Sequence, residues 1–150
     1  MSIDYQLYLS TALEPLQSLN ILSKSFDFEW SSELPNPWLF REEIVIGSLS
    51  DDEPSIMEEA FGFRPTIYVW FRVAKNQYGE KGFRTMLQAV MELLRQITGD
   101  AVFLSNGEVI LFQRLGGQLL LNEQCNSWIT SYLPLVTLPY EVRNLPSPWL

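Results

Sequence analysis

Apolar and polar residues alternate from the start of the chain. Ile3, Tyr5, Leu7 and Leu9 interleave with Asp4, Gln6, Tyr8 and Ser10, the period of two shown by a strand with one face on a core. Thr11 and Glu14 have capping-box spacing, which predicts a helix from about Leu13 to Ser25 with Leu13, Leu16, Leu19 and Leu22 as its buried stripe. A short strand is expected over Phe26 to Trp30. Beyond the connection marked by Pro35 and Pro37, Phe40 to Ser48 reads as a strand with Ile44 and Ile46 on one side and Glu43 and Val45 on the other. Ser55 to Phe61 is expected as a short helix capped by Ser55 and ended by Gly62, with Glu58 and Glu59 early, where the helix dipole favours anions. From Thr66 to Val73, Ile67, Val69, Phe71 and Val73 alternate with Thr66, Tyr68, Trp70 and Arg72. The second face of that strand is aromatic, so Tyr68 and Trp70 need a covering layer or a partner.

The period changes at Gly82. Phe83, Met86, Leu87, Val90, Leu94 and Ile97 recur at helical spacing, and Gly99 suits a left-handed C-cap. A three-strand meander follows. Val102 to Leu104 leads through Asn106-Gly107, the residues a type I′ turn favours, into Val109 to Phe112, and Gly116-Gly117 turns into Leu119 to Leu121. Pairing through the first turn places Phe103, Ile110 and Phe112 on one face and Val102, Leu104, Val109 and Leu111 on the other. With both faces apolar the meander is either central and covered on two sides or donates a face to another subunit; the first is expected of a chain with three helices. These elements predict an α+β domain spanning residues 1–150, an antiparallel or mixed sheet of five to seven strands with about three helices mainly on one face.

Charge and composition narrow what such a fold can do. The 150 residues include 10 Lys and Arg against 18 Asp and Glu, a net charge of −8. That surface repels phosphate backbones and anionic lipid, and steers in a cationic protein. Five carboxylates, Asp51, Asp52, Glu53, Glu58 and Glu59, fall within nine residues. There is no histidine and a single cysteine, Cys125, so histidine-based triads and Cys/His zinc sets are excluded and Cys125 reads as a packing residue. Adjacent acids such as Glu42-Glu43, Asp51-Asp52 and Glu58-Glu59 diverge on a strand or a helix and do not converge on one metal or substrate atom. Gly62-Phe63-Arg64 and Gly79-Glu80-Lys81-Gly82 lack the spacing of a phosphate loop. Arg64 and Arg72 are expected to engage the acidic segment internally or to stack on aromatics. The opening residues lack the basic start and apolar run of a secretory signal, and no stretch reaches the roughly 18 apolar residues of a membrane span. A cytoplasmic binding protein is the expectation, with no enzyme activity, metal or cofactor.

A resemblance sharpens that expectation. The run Glu58-Glu59-Ala60-Phe61-Gly62-Phe63-Arg64-Pro65, then Phe83-Arg84-Thr85-Met86-Leu87, then Gly99-Asp100-Ala101-Val102 through Asn106-Gly107-Glu108, resembles the immunity proteins of Sit-type (swarming inhibition) bacterial toxin systems. The likeness is densest between about Ile56 and Glu123. It implies a protein that neutralises a toxin delivered by neighbouring cells, and it carries no catalytic motif. Together, charge and resemblance point to Asp51, Asp52, Glu53, Glu58, Glu59, Tyr68 and Trp70 as a partner-binding surface for a basic toxin domain. The alternatives are a homo-oligomer and a binder of a small ligand between sheet and helices.

Overall fold

Nine strands form one mixed sheet in the computed structural model, which describes residues 2–32, 36–125 and 131–149. Pro35 and the side chain of Ile3 fall outside the described residues. In chain order the elements are β1 (Ser2–Leu9), α1 (Pro15–Ser25), β2 (Glu29–Trp30), β3 (Leu39–Arg41), β4 (Ile44–Ser50), α2 (Pro54–Phe61), β5 (Ile67–Ala74), α3 (Gly79–Gln96), β6 (Ala101–Ser105), β7 (Val109–Leu115), β8 (Gln118–Asn122) and β9 (Tyr140–Arg143). The strands lie in the order β2-β3-β4-β5-β1-β6-β7-β8-β9. Only the last pair, β8 with β9, is parallel.

The α+β class is as predicted, but nine strands exceed the expected five to seven. One reason is that Phe40 to Ser48 is not a single strand: the chain reverses at Glu42-Glu43 and pairs Leu39 with Ile46 across a hairpin. The other is β9, a strand without a buried residue in the proline-marked tail. Asn122 holds this tail. Its buried amide donates to the carbonyls of Ile110 and Leu145 at 2.7 and 2.9 Å and accepts from the Leu145 N–H at 3.2 Å.

Two apolar clusters occupy the two faces of the sheet. The larger joins Leu19 and Leu22 of α1 and Met86, Leu87, Val90 and Leu94 of α3 to Leu7, Leu9, Ile46, Val69, Phe71, Phe103 and Phe112. The smaller lies on the opposite face, where Met57 and Phe61 of α2 meet Val102, Leu104, Ile110 and Leu145. The meander is therefore covered on both sides. The helices divide between the faces, with α1 and α3 on one and α2 on the other.

Each helix corrects its predicted boundary for a local reason. Pro15 opens α1 because its missing N–H costs nothing at the first helical position. Glu14 is the N-cap, its N–H donating to Gln17 Oε1 at 2.7 Å, while Thr11 Oγ1 accepts from Leu13 in the preceding turn. Leu16 consequently faces solvent, 49% exposed, and Ser18, Leu19 and Leu22 make the buried stripe. Likewise Pro54 opens α2 after Glu53, so Ser55 lies inside the helix and not at its cap. Glu58 and Glu59 then sit in its second half, toward the negative end of the dipole, before Gly62 closes it at φ +80°. Helix α3 starts three residues before its expected boundary, at Gly79. Gly99 is not a left-handed cap; a Cβ there would lie 1.9 Å from the Ser10 carbonyl oxygen, so glycine is required by close approach.

The β6–β7 turn forms as expected, with Asn106 at φ 54° and Gly107 at φ 71°. The facing of β7 does not. A bulge between Phe103 and Leu104 shifts the register, pairing Phe103 with Phe112 but Leu104 with Ile110. Three residues, Asn106, Gly107 and Glu108, separate the paired Ser105 and Val109, one more than a two-residue turn, which changes the face of Val109 and Ile110. The extra residue Leu111 then returns Phe112 to the Phe103 face. Ile110 therefore joins Val102 and Leu104, and Leu111 joins the Phe103 side.

Candidate functional site

The second face of the sheet is only partly sealed by α2. Register brings Tyr8 of β1 opposite Tyr68 of β5 and Tyr68 opposite Leu49 of β4, with Gln6, Trp70 and Gly47 as the next row. Tyr5, Leu7 and Leu9 are committed to the buried face, so the alternate residues Gln6 and Tyr8 must emerge here. Tyr8 and Tyr68 stack with ring centroids 5.3 Å apart and planes 29° apart, and both remain half-buried.

This row floors a cleft of about 750 Å³. Its wall is the loop Ser50-Asp51-Asp52-Glu53 with Ile56 and Met57 of α2, and its far rim is the hairpin tip at Asn106-Gly107. The tip is anchored to the floor by the Gly107 N–H, which donates to Gln6 Oε1 at 2.7 Å. The loop is fixed by backbone and side chain together: the Asp51 N–H donates to the Thr66 carbonyl at 3.0 Å, and Asp51 Oδ1 accepts from the Glu53 N–H at 3.1 Å. Asp51 Oδ2 is enclosed without a hydrogen-bond donor among the described residues. An enclosed carboxylate oxygen without a donor projects its charge onto its surroundings. Burial first, then the neighbouring Asp51, raises the hydroxyl pKa of Tyr8 and of Tyr68 above the ordinary tyrosine value; Asp52 adds to the shift at Tyr68.

The predicted site residues divide. Asp51, Asp52, Glu53 and Tyr68 come together in the cleft, whereas Glu58 and Glu59 are exposed on α2 and do not line it. Glu58 lies 3.7 Å from Arg64. Trp70 is one row beyond the cleft, its indole laid across Gly47, where a Cβ would come within 2.1 Å of the ring. Arg72 sits 5.9 Å from the Trp70 ring centroid, the stacking expected of it, and pairs at 3.0 Å with Asp4, outside the acidic segment. The sequence reading missed Gln6 and Tyr8. Their signal was present in the β1 alternation, as the positions the core does not use.

Half of the other described carboxylates are matched. Among the described residues, ion pairs join Arg41 with Glu43, Arg64 with Glu58, Arg72 with Asp4, Lys81 with Glu42, Arg84 with Glu80, Arg95 with Glu92 and Arg143 with Glu141. Glu43 is fully buried rather than solvated, accepting from Thr85 Oγ1 at 2.9 Å. No ion pair is found for Asp51, Asp52 or Glu53 among the described residues. No group of three or more carboxylate or thiol ligands there is placed to hold a metal ion. Cys125 packs against the main core, its thiol 3.7 Å from the Ile110 carbonyl oxygen. No helix among the described residues is long and apolar enough to cross a membrane.

These features define an α+β protein with an acidic, aromatic-floored cleft on one sheet face. Its kinship is specific. The SitI3-like family model matches residues 3–131, and the chain belongs to that family, in agreement with the resemblance to Sit-type immunity proteins. No curated protein and no solved structure matches it.

Proposed function

We propose that this protein is a cytoplasmic immunity protein that neutralises a cognate toxin by occlusion, through the acidic loop and the aromatic face beside it. The carrying observation is the juxtaposition of three carboxylates with no ion pair among the described residues, Asp51, Asp52 and Glu53, with the stacked Tyr8–Tyr68 pair. Unpaired surface charge is the kind that steers association, and half-buried aromatics are the kind that anchor it. The partner suited to such a surface is a basic toxin domain. Glu58 and Glu59 extend the negative field along α2 outside the cleft, and Trp70 extends the aromatic floor. The role is binding, not turnover.

Two measurements test this reading. Co-expression with the cognate toxin protects sensitive cells, and the two proteins co-purify. Neutralising Asp51, Asp52, Glu58 and Glu59 to their amides slows association at low salt by about tenfold or more and flattens its salt dependence. Unchanged association kinetics remove this patch from the interface, and unprotected cells overturn the immunity role itself.

A further inference from the structure

We infer that the cleft receives an arginine side chain of the partner protein, its guanidinium lying on the Tyr8–Tyr68 pair and donating to the acidic loop. The inference rests on the immunity reading only for who the partner is; the chemistry comes from the cleft. Three observations converge. The stacked pair presents an aromatic surface at the floor, and a ring face attracts a cation within about 6 Å of its centroid. Asp52 and Glu53 are exposed on the wall, with no cation beside them among the described residues. Asp51 lines the same wall, is fixed by its bonds to Thr66 and Glu53, and keeps one enclosed oxygen without a donor among the described residues.

A guanidinium suits this geometry better than an ammonium. It is flat, so it stacks on an aromatic face while its edge donors fork toward carboxylates, and it is more weakly hydrated. The same fold already places guanidinium groups over aromatic rings, Arg41 at 4.6 Å from the Phe28 centroid and Arg72 at 5.9 Å from that of Trp70. Those aromatics are supplied from within. The tyrosine pair in the cleft has no such internal cation among the described residues. A neutral or anionic ligand would meet the uncompensated acids without offering them a donor of positive charge.

The test uses short peptides and NMR. Acetyl-Gly-Arg-Gly-amide is titrated into the whole protein, alongside the citrulline and lysine versions. The expected result is a saturable shift of the Tyr8 and Tyr68 ring protons and of the Gly107 amide, with a midpoint of about millimolar for so small a probe. The neutral citrulline peptide should bind at least about tenfold more weakly, as should the arginine peptide to Asp52→Asn and to Tyr68→Leu. Tyr68 is half-buried, so leucine keeps the packing, and circular dichroism verifies that both variants fold. Equal response to citrulline, or shifts mapping away from the cleft, overturns the inference. Equal response to lysine overturns the guanidinium assignment. Loss of the peptide response with toxin protection intact would fault the cleft alone, whereas failed protection with peptide binding intact would fault the immunity role alone.

Discussion

Replacing Arg114 with methionine should destabilise the protein by about 2–4 kcal/mol, because one buried guanidinium terminates the longest helix. Arg114 on β7 is 6% exposed. It donates to the Leu94 carbonyl at 2.7 Å, to the Gly99 carbonyl at 3.0 and 2.8 Å, and to the Ile97 carbonyl. Leu94 lies in the last turn of α3, so its carbonyl is among those a helix leaves without an intrahelical partner. Each such group stranded away from water costs about 1–3 kcal/mol. Three stranded carbonyls set the upper range, and relief from burying a cation offsets part of it; burial lowers the Arg114 pKa, against a smaller opposing effect of Asp100. Methionine keeps the apolar stem's packing, which isolates the loss to the bonds. In urea unfolding, where a chain of this size has a slope of about 2 kcal/mol per molar, the midpoint should fall by about 1–2 M with the slope unchanged. Arg114→Lys should fall between, since one ammonium cannot reach all three carbonyls in a fork. A loss below about 1 kcal/mol would refute the view that this cation, rather than the surrounding apolar contacts, holds the end of α3.

The tyrosines give a pH test. Tyr5, Tyr8 and Tyr68 have hydroxyl pKa values raised above 10.0, burial being the first cause in each. Their contribution to stability is therefore complete below the ordinary tyrosine value and is lost as pH rises through the elevated folded values. Phenolate absorbance should show Asp51→Asn moving Tyr8 and Tyr68 back toward the ordinary value while Tyr5 stays put; an equal change at Tyr5 would disprove the local origin. Gly47→Ala should lift the Trp70 indole off β4, at a cost of about 1–3 kcal/mol, and red-shift tryptophan emission. Emission identical to the wild type would show that Trp70 does not rely on that glycine.

Period alone located β1, β5 and α3, because in each the core residues recur regularly over a long run. It failed where a single residue changes the phase. The extra turn residue Glu108 and the bulge at Leu111 reassign Ile110 and Leu111 with no compositional mark, since both faces there are apolar and either register buries the same kinds of side chain. The turn at Glu42-Glu43 was hidden for a similar reason: a buried acid that accepts from Thr85 through one oxygen looks in sequence like an exposed one. The strand β9 has no buried residue to announce it and is recognisable only once Asn122 fixes the tail beside β8.

The cleft was half legible, and the missing half follows from topology. The acids of 51–53 are adjacent in sequence, so their density could be seen directly. Tyr8 is joined to them only because β1 inserts between β5 and β6, a long-range choice that no local pattern encodes. Once that choice is made, the rest is forced: burying Tyr5, Leu7 and Leu9 sends Gln6 and Tyr8 to the opposite face, and antiparallel register with β5 sets Tyr8 against Tyr68. A substitution that shifted β1 by one residue would therefore expose the core set and dismantle the aromatic floor in the same step. Core stability and the aromatic floor are tied here through a single strand, which limits the variation the floor can bear, whereas the acids of 51–53 lie outside the sheet.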